Sequence, residues 1–219
     1  MKRFASAIEY AKDANNIRVQ LNAGVFFVHV PKNAGTALSK AMYGKQLRHY
    51  SVREYLDLGL RSDQVPIVAL YRDPIERFLS AYRFLSGNGT LEVSVDPHQR
   101  PPEDVLSSAD SLALWIAEKN VDVLHPGLKT QSFYVRDYQA SLKSVTIFSA
   151  GDWSGLVRFL ETNSNLDDRK LEAIKSLGGR RVNESVHSAS RSSLSDEALA
   201  IVTTKYFCDF SIRDNLTDE

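Results

Sequence analysis

Two short stretches carry residues whose types and spacing suit the gripping of anions. The first is Pro31-Lys-Asn-Ala-Gly-Thr-Ala37, which follows the apolar run Gly24-Val-Phe-Phe-Val-His-Val30 and precedes a helical pattern. A strand, a short glycine-containing loop and a helix start turn several backbone N–H groups toward one point, and the helix dipole adds partial positive charge there. Lys32 supplies a full charge, and Thr36 a hydroxyl in the first helical turn. The bland alternative is a plain strand-to-helix turn in which Gly35 serves backbone geometry alone. The second stretch is Tyr71-Arg-Asp-Pro-Ile-Glu-Arg-Phe-Leu-Ser-Ala-Tyr-Arg83. Arg72 ends a second apolar run, Val65-Pro-Ile-Val-Ala-Leu-Tyr71, and Ser80 follows eight residues later. A strand-end arginine with a nearby hydroxyl suits a second, separate phosphate. Arg77 and Arg83 read as solvated charges on the intervening helix. The first loop is not a Walker A loop. That motif needs lysine directly after its second glycine, whereas Lys32 precedes Gly35 and Val30 stands where the first glycine belongs.

The elements that must position these residues follow from periodicity. Both apolar runs are short, nearly continuous and rich in β-branched or aromatic residues, the pattern of strands covered on both faces; Val145-Thr-Ile-Phe148 is a third candidate. Helical patterns cover 36–43, 51–60, 74–85, 103–119, 153–162, 168–177 and 195–206. Asp73 before Pro74, with Glu76 three residues on, marks a helix start, and Ser51 with Glu54 forms a capping box. The order predicts an α/β fold with a P-loop-like central parallel β-sheet flanked by helices. Lys32 and Arg72 then sit beyond the carboxyl ends of neighbouring strands, where open α/β sheets bind ligands. The stretch 86–102, with two glycines and three prolines near its ends, reads as a loop.

Composition narrows the classes. The 219 residues fit a single domain, 1–219, with 1–22 as an N-terminal extension. Lys+Arg and Asp+Glu both number 27, which argues against a nucleic-acid binder or a membrane-surface protein. Cys208 is the single cysteine, so no internal disulfide or cysteine-based zinc cluster is expected. No window approaches the roughly 18 apolar residues of a membrane span, and no signal-peptide pattern is visible. The expectation is a cytoplasmic protein. No His or carboxylate cluster has ligand spacing, so no metal is expected.

Phe27-Val-His-Val-Pro-Lys-Asn-Ala-Gly-Thr-Ala37 resembles the 5′-phosphosulfate loop of sulfotransferases that use 3′-phosphoadenosine 5′-phosphosulfate, PAPS. Arg72-Asp-Pro-Ile-Glu-Arg-Phe-Leu-Ser-Ala-Tyr82 resembles their 3′-phosphate motif, including the arginine-to-serine spacing. The carbohydrate sulfotransferase branch and its bacterial relatives are the nearest in pattern. His125-Pro-Gly-Leu-Lys-Thr-Gln131, Asn183-Glu-Ser185 and Tyr206-Phe-Cys-Asp-Phe210 are similar to later segments of that branch, so the resemblance spans residues 24–212. It implies the sulfotransferase fold, PAPS as co-substrate and adenosine 3′,5′-bisphosphate as product. It implies donor contacts from Lys32, Asn33, Ala34, Gly35, Thr36, Ala37, Arg72 and Ser80. Asn33, where threonine is common, costs one hydroxyl contact.

Sulfuryl transfer to a hydroxyl needs a general base. His49, in the connection before the helix that starts near Ser51, is the first choice, because the resemblance places a base histidine there; Glu54 and His125 are the alternatives. His29 reads as a packed, hydrogen-bonded strand histidine, and His98 and His187 as exposed. Trp115 reads as core, and Arg180 and Arg181 as a basic loop, either solvated or contacting the 3′-phosphate or an anionic acceptor. The acceptor is expected to be a hydroxyl of a carbohydrate or small metabolite, neutral or modestly charged, since the chain has no net charge to hold a polyanion. Two other functions stay open: a nucleoside-triphosphate-dependent phosphoryl transferase, and a catalytically inactive nucleotide-binding module.

Overall fold

The computed structural model describes residues 7–60, 65–90, 93–139, 141–142, 145–178, 194–214 and 216, with side chains from residue 14 onward. Arg180, Arg181, Asn183 and His187 lie outside the described residues. The expected strands form at Phe26–Val28 (β1), Ile67–Tyr71 (β2) and Thr146–Ser149 (β3). Among the described residues they make one parallel sheet in the order β1-β2-β3, with Phe26 opposite Ile67 and Tyr71 opposite Ser149. Every residue of β1 and β2 is buried, which explains why both read as unbroken apolar runs rather than alternating ones.

Helices cover both faces. Phe27, Val68, Leu70 and Phe148 pack beneath α2 (Gly35–Tyr43), α7 (Trp153–Asn163) and α8 (Asp168–Leu177). Phe26, Ile67, Ala69 and Ile147 pack against α3 (Val52–Asp57), α6 (Gln131–Val135) and α10 (Phe207–Arg213). Burying each of these phenylalanines contributes about 1.5–3 kcal/mol relative to exposure. A third cluster joins α4 (Pro74–Ser86), α5 (Ala109–Ile116) and α9 (Asp196–Lys205).

The described part of the N-terminal extension closes against the sheet. Ala7–Asn22 forms α1, and its buried Gln20 closes the open edge of the sheet. The Gln20 Oε1 accepts the Phe27 N–H at 2.9 Å, and its Nε2 donates to the Tyr55 hydroxyl at 3.0 Å. Phe27 N–H points away from β2, so without Gln20 an edge-strand donor would be buried unpaired.

Other differences are local. The helical pattern over 103–119 resolves into a 3₁₀ turn at Val105–Ser107 and α5, which starts on Ser108 as its cap. Trp115 is only partly buried and lies under the Lys119 ammonium, 4.6 Å from the ring centroid. Short α6 and α10 have no counterpart in the sequence reading, because helices of five and seven residues carry too few turns for a periodic signal. In the 86–102 stretch Gly89 and Ser94 form an isolated antiparallel bridge, and buried Val95 ties it to the third cluster.

Candidate functional site

The loop between β1 and α2 is the centre of the site. Lys32 has φ 71° and Ala34 φ 61°, left-handed conformations that cost L-residues about 1–2 kcal/mol each. Such strain persists only where surrounding contacts enforce it, and turns of this kind gather backbone N–H groups into an anion-binding concavity. Helix α2 begins immediately afterwards, and its cap residue Ala34 supplies no side-chain hydrogen bond. By contrast α4, α5, α7, α8 and α9 each start on an Asp or Ser side chain that accepts a backbone N–H. Among the described residues the N-terminal donors of α2 have no side-chain cap, which leaves them suited to an external acceptor.

Gly35 is required for a reason different from the one its sequence suggested. The positive φ angles fall on its neighbours, while a Cβ at Gly35 would lie 2.2 Å from His29 Cδ2 and 2.7 Å from Nε2. His29 is buried, donates from Nδ1 to the Leu47 carbonyl at 3.2 Å, and stacks on Phe27. It is the packed, hydrogen-bonded histidine expected, and it also forms the floor under the loop.

Positive charge converges on this loop. Arg72, at the end of β2, donates from Nη1 to the Lys32 carbonyl at 3.3 Å, and its Nη2 lies 3.7 Å from Glu76. The Lys32 ammonium sits 4.2 Å from the centre of the Phe84 ring. Burial first, then Arg72, Arg77 and Arg83, push its pKa down to about 8. Arg77 corrects the sequence reading: it is 1% exposed rather than a solvated helix charge. Its Nε donates to the Pro31 carbonyl at 3.0 Å, and its buried Nη2 has no hydrogen-bond partner among the described residues. The signal was present in the spacing, since Arg77 heads an i, i+4, i+8 row with buried Ala81 and Leu85. Ser80 lies at i+3 from Arg77 and i+4 before Phe84, on the side of α4 that meets the loop.

The remaining loop residues divide by direction. Thr36 and Ala37 are half-buried in the first turn of α2 and Ala34 is exposed. Asn33 is turned inward: its Nδ2 donates to the Leu70 carbonyl at 2.6 Å and to Gln131 Oε1 at 2.7 Å. Its amide nitrogen therefore ties the loop to the sheet, while its buried Oδ1 has no hydrogen-bond partner among the described residues.

The three candidate bases are distinguished by their partners. His49 Nδ1 lies 2.8 Å from the His29 carbonyl oxygen. A carbonyl only accepts, so Nδ1 carries the proton and Nε2 of the neutral ring keeps its lone pair. Burial lowers the His49 pKa against the opposing pull of that hydrogen bond, and Lys32 and Arg77 lower it further. His125 has the opposite tautomer. Gly127 N–H donates to its Nδ1 at 3.0 Å, so the neutral ring carries its proton on Nε2 and is a donor there. Burial, then Lys32 and His49, push its pKa down to about 4; its ring lies 5.9 Å from Phe84. Glu54 is engaged in the Ser51 capping box, accepting the Ser51 N–H at 2.7 Å and its hydroxyl at 2.8 Å. Among these groups only His49 presents an unprotonated ring nitrogen together with a reason to stay neutral.

Sequence reasoning assigned no role to Gln131 or Asp209, although both stand in the later segments quoted for the resemblance. Asp209 is buried, and its carboxylate accepts the N–H groups of Gln131 and Ser132, both at 2.8 Å. The Tyr206 hydroxyl donates to the Leu128 carbonyl at 2.7 Å. The C-terminal Tyr206-x-x-Asp209 segment thus clamps the His125–Gln131 segment, contacts spanning about 78 residues. Among the described residues no group of three or more His, Cys, Asp and Glu gathers as a metal site, and no helix is long and apolar enough to cross a membrane. No protein-family model, curated protein or solved structure matches the chain.

Proposed function

We propose that the protein transfers a sulfuryl group from PAPS to a hydroxyl of a carbohydrate or small-molecule acceptor, on a sulfotransferase fold. The observation that carries this reading is the uncapped start of α2 with Lys32, Arg72 and Arg77 around it, beside a histidine whose Nε2 is free to take a proton. The orphaned, buried Nη2 of Arg77 fits an anion, since a buried charged donor without an acceptor costs more than most single interactions return. Two strand ends with separate cationic groups suit a ligand with two anionic ends.

When bound, the donor supplies an activated sulfuryl group and a 5′-phosphate that leaves. The acceptor oxygen attacks sulfur in line, its proton passes to His49 Nε2, and the bond between sulfur and the 5′-phosphate oxygen breaks. Lys32 and the N–H groups of residues 34–36 stabilise the charge that grows on that oxygen. Arg72 and Ser80 hold the 3′-phosphate, and His125, with its proton on Nε2, is a donor rather than a base. His49 is neutral at physiological pH because burial and Lys32 disfavour its cation, the state a base requires.

Calorimetric titration with adenosine 3′,5′-bisphosphate, ATP and ADP tests the reading. The bisphosphate is expected to bind most tightly; tighter binding of ATP would favour the phosphoryl transferase instead. Incubation with labelled PAPS and a panel of neutral carbohydrates and small alcohols then reads transfer. Binding of the bisphosphate with no transfer to any acceptor would leave the inactive nucleotide-binding module.

A further inference from the structure

One buried side chain touches both anion grips. Gln131 is 1% exposed, and its amide makes three hydrogen bonds to the site. Its Oε1 accepts from Asn33 Nδ2 at 2.7 Å and from the Arg72 N–H at 3.0 Å, while its Nε2 donates to the Arg72 carbonyl at 2.8 Å. It pairs with the Arg72 backbone as a neighbouring strand would, on the side of β2 that faces β1 and beyond their last pair, Val28 with Ala69. The same amide holds the 31–36 loop through Asn33, which is anchored to Leu70 in turn. Gln131 is itself immobilised, because Asp209 of α10 receives its N–H, and Thr130 caps α6 by accepting the Phe133 N–H.

We propose that Gln131 is a positioning residue that sets the separation between the Lys32 loop and the Arg72 strand end, and thereby the preference for a nucleotide with two anionic ends. The proposal rests on the donor reading above. A two-point ligand gains from its second contact only when both grips stand at the ligand's own spacing, because the second contact then forms at high effective concentration. A rigid amide bonded to both sides supplies that spacing. An error of about 1 Å in such an arrangement can cost on the order of a hundredfold. A side chain that merely filled the core would have no need of three polar contacts to the loop and the strand end.

The test compares three nucleotides on the whole chain by calorimetry: adenosine 3′,5′-bisphosphate, adenosine 5′-monophosphate and adenosine 3′-monophosphate. Gln131→Met keeps the volume and removes the hydrogen bonds. The bisphosphate should lose about tenfold or more in affinity while each monophosphate loses less than about threefold, since only the doubly anionic ligand depends on the spacing. The ratio of affinities is insensitive to a partly unfolded sample. If Gln131→Met gives no folded protein, Asn33→Ala, which removes the loop end of the same contact, reads the same ratio. An equal loss for all three nucleotides, or none, overturns the positioning role and leaves the donor reading intact. A parent protein that binds the bisphosphate no better than the monophosphates overturns both.

Discussion

Gly35→Ala is a sharp test of how the site is built. At an ordinary helix start with unremarkable φ, replacing glycine by alanine stabilises a protein by about 0.4–1 kcal/mol through the unfolded chain. Here the new Cβ would meet His29 Cδ2 at 2.2 Å, Nε2 at 2.7 Å and Phe27 Cζ at 3.1 Å. The imidazole has little room to yield. It is stacked on Phe27, its centroid is 4.2 Å from that of His49, and its Nδ1 is bonded to the Leu47 carbonyl. Overpacking of this kind costs about 1–3 kcal/mol, and displacing His29 from Leu47 adds about 1 kcal/mol. Set against the alanine's own gain, the expected net loss is about 2 kcal/mol, or roughly 4–8 °C in melting temperature for a chain of this length. Urea denaturation followed by circular dichroism measures it. The double variant Gly35→Ala with His29→Ala should recover most of the loss, with a coupling energy of at least about 1 kcal/mol. A Gly35→Ala protein as stable as its parent, or a penalty unchanged in the His29→Ala background, would refute the close-approach argument.

Other consequences are more direct. Lys32→Ala should abolish transfer, whereas Arg72→Ala should chiefly weaken binding of adenosine 3′,5′-bisphosphate; equal effects of both on binding alone would argue against a role for Lys32 in the reaction. The kcat/KM profile should be bell-shaped, since His49 must be neutral and Lys32 charged. Its acid limb should lie below the ordinary histidine value of 6.5 and its alkaline limb near pH 8, and His49→Ala should remove the acid limb while the bisphosphate still binds. Stability should also fall in acid. His29 is held neutral in the folded chain by burial first and His49 second, so its contribution is complete above the unfolded value of 6.5. Below that the unfolded chain takes up the proton and the folded one does not, giving a slope of up to about 1.4 kcal/mol per pH unit; His29→Asn should flatten it. Gln20→Ala, which strands the Phe27 N–H and frees the Tyr55 hydroxyl, should lower stability by about 1–3 kcal/mol in urea melts with no change in pH profile.

What could be read along the chain was whatever is encoded locally. The unbroken apolar runs ending at Val30 and Tyr71 announced strands buried on both faces, and Asp73-Pro74 and Ser51 with Glu54 marked two helix starts that the structure places where expected. The loop at 31–36 leading straight into α2 was legible because a turn between strand and helix is a contiguous segment. Arg77 was misread because its burial depends on the Pro31 carbonyl 46 residues earlier. Helix α1 was overlooked because its role, closing the β1 edge through Gln20, exists only once Phe27 has no other strand beside it.

The amino-acid order alone therefore determined the three strands, helices α2 to α5 and α7 to α9, and the two segments that carry lysine and arginine to one sheet edge. Tertiary structure decided which groups meet there and in what chemical state. Only folding sets the His29 carbonyl against His49 Nδ1, 20 residues away, so that Nε2 of this imidazole becomes the acceptor, whereas the Gly127 N–H that makes His125 Nε2 a donor lies two residues along the chain. Only folding brings Gln131 between Asn33 and Arg72, and Asp209 behind it. The physical reason is that tautomer, pKa and hydrogen-bond direction depend on neighbours tens of residues away, while helix caps and strand patterns depend on the next few residues of the same chain.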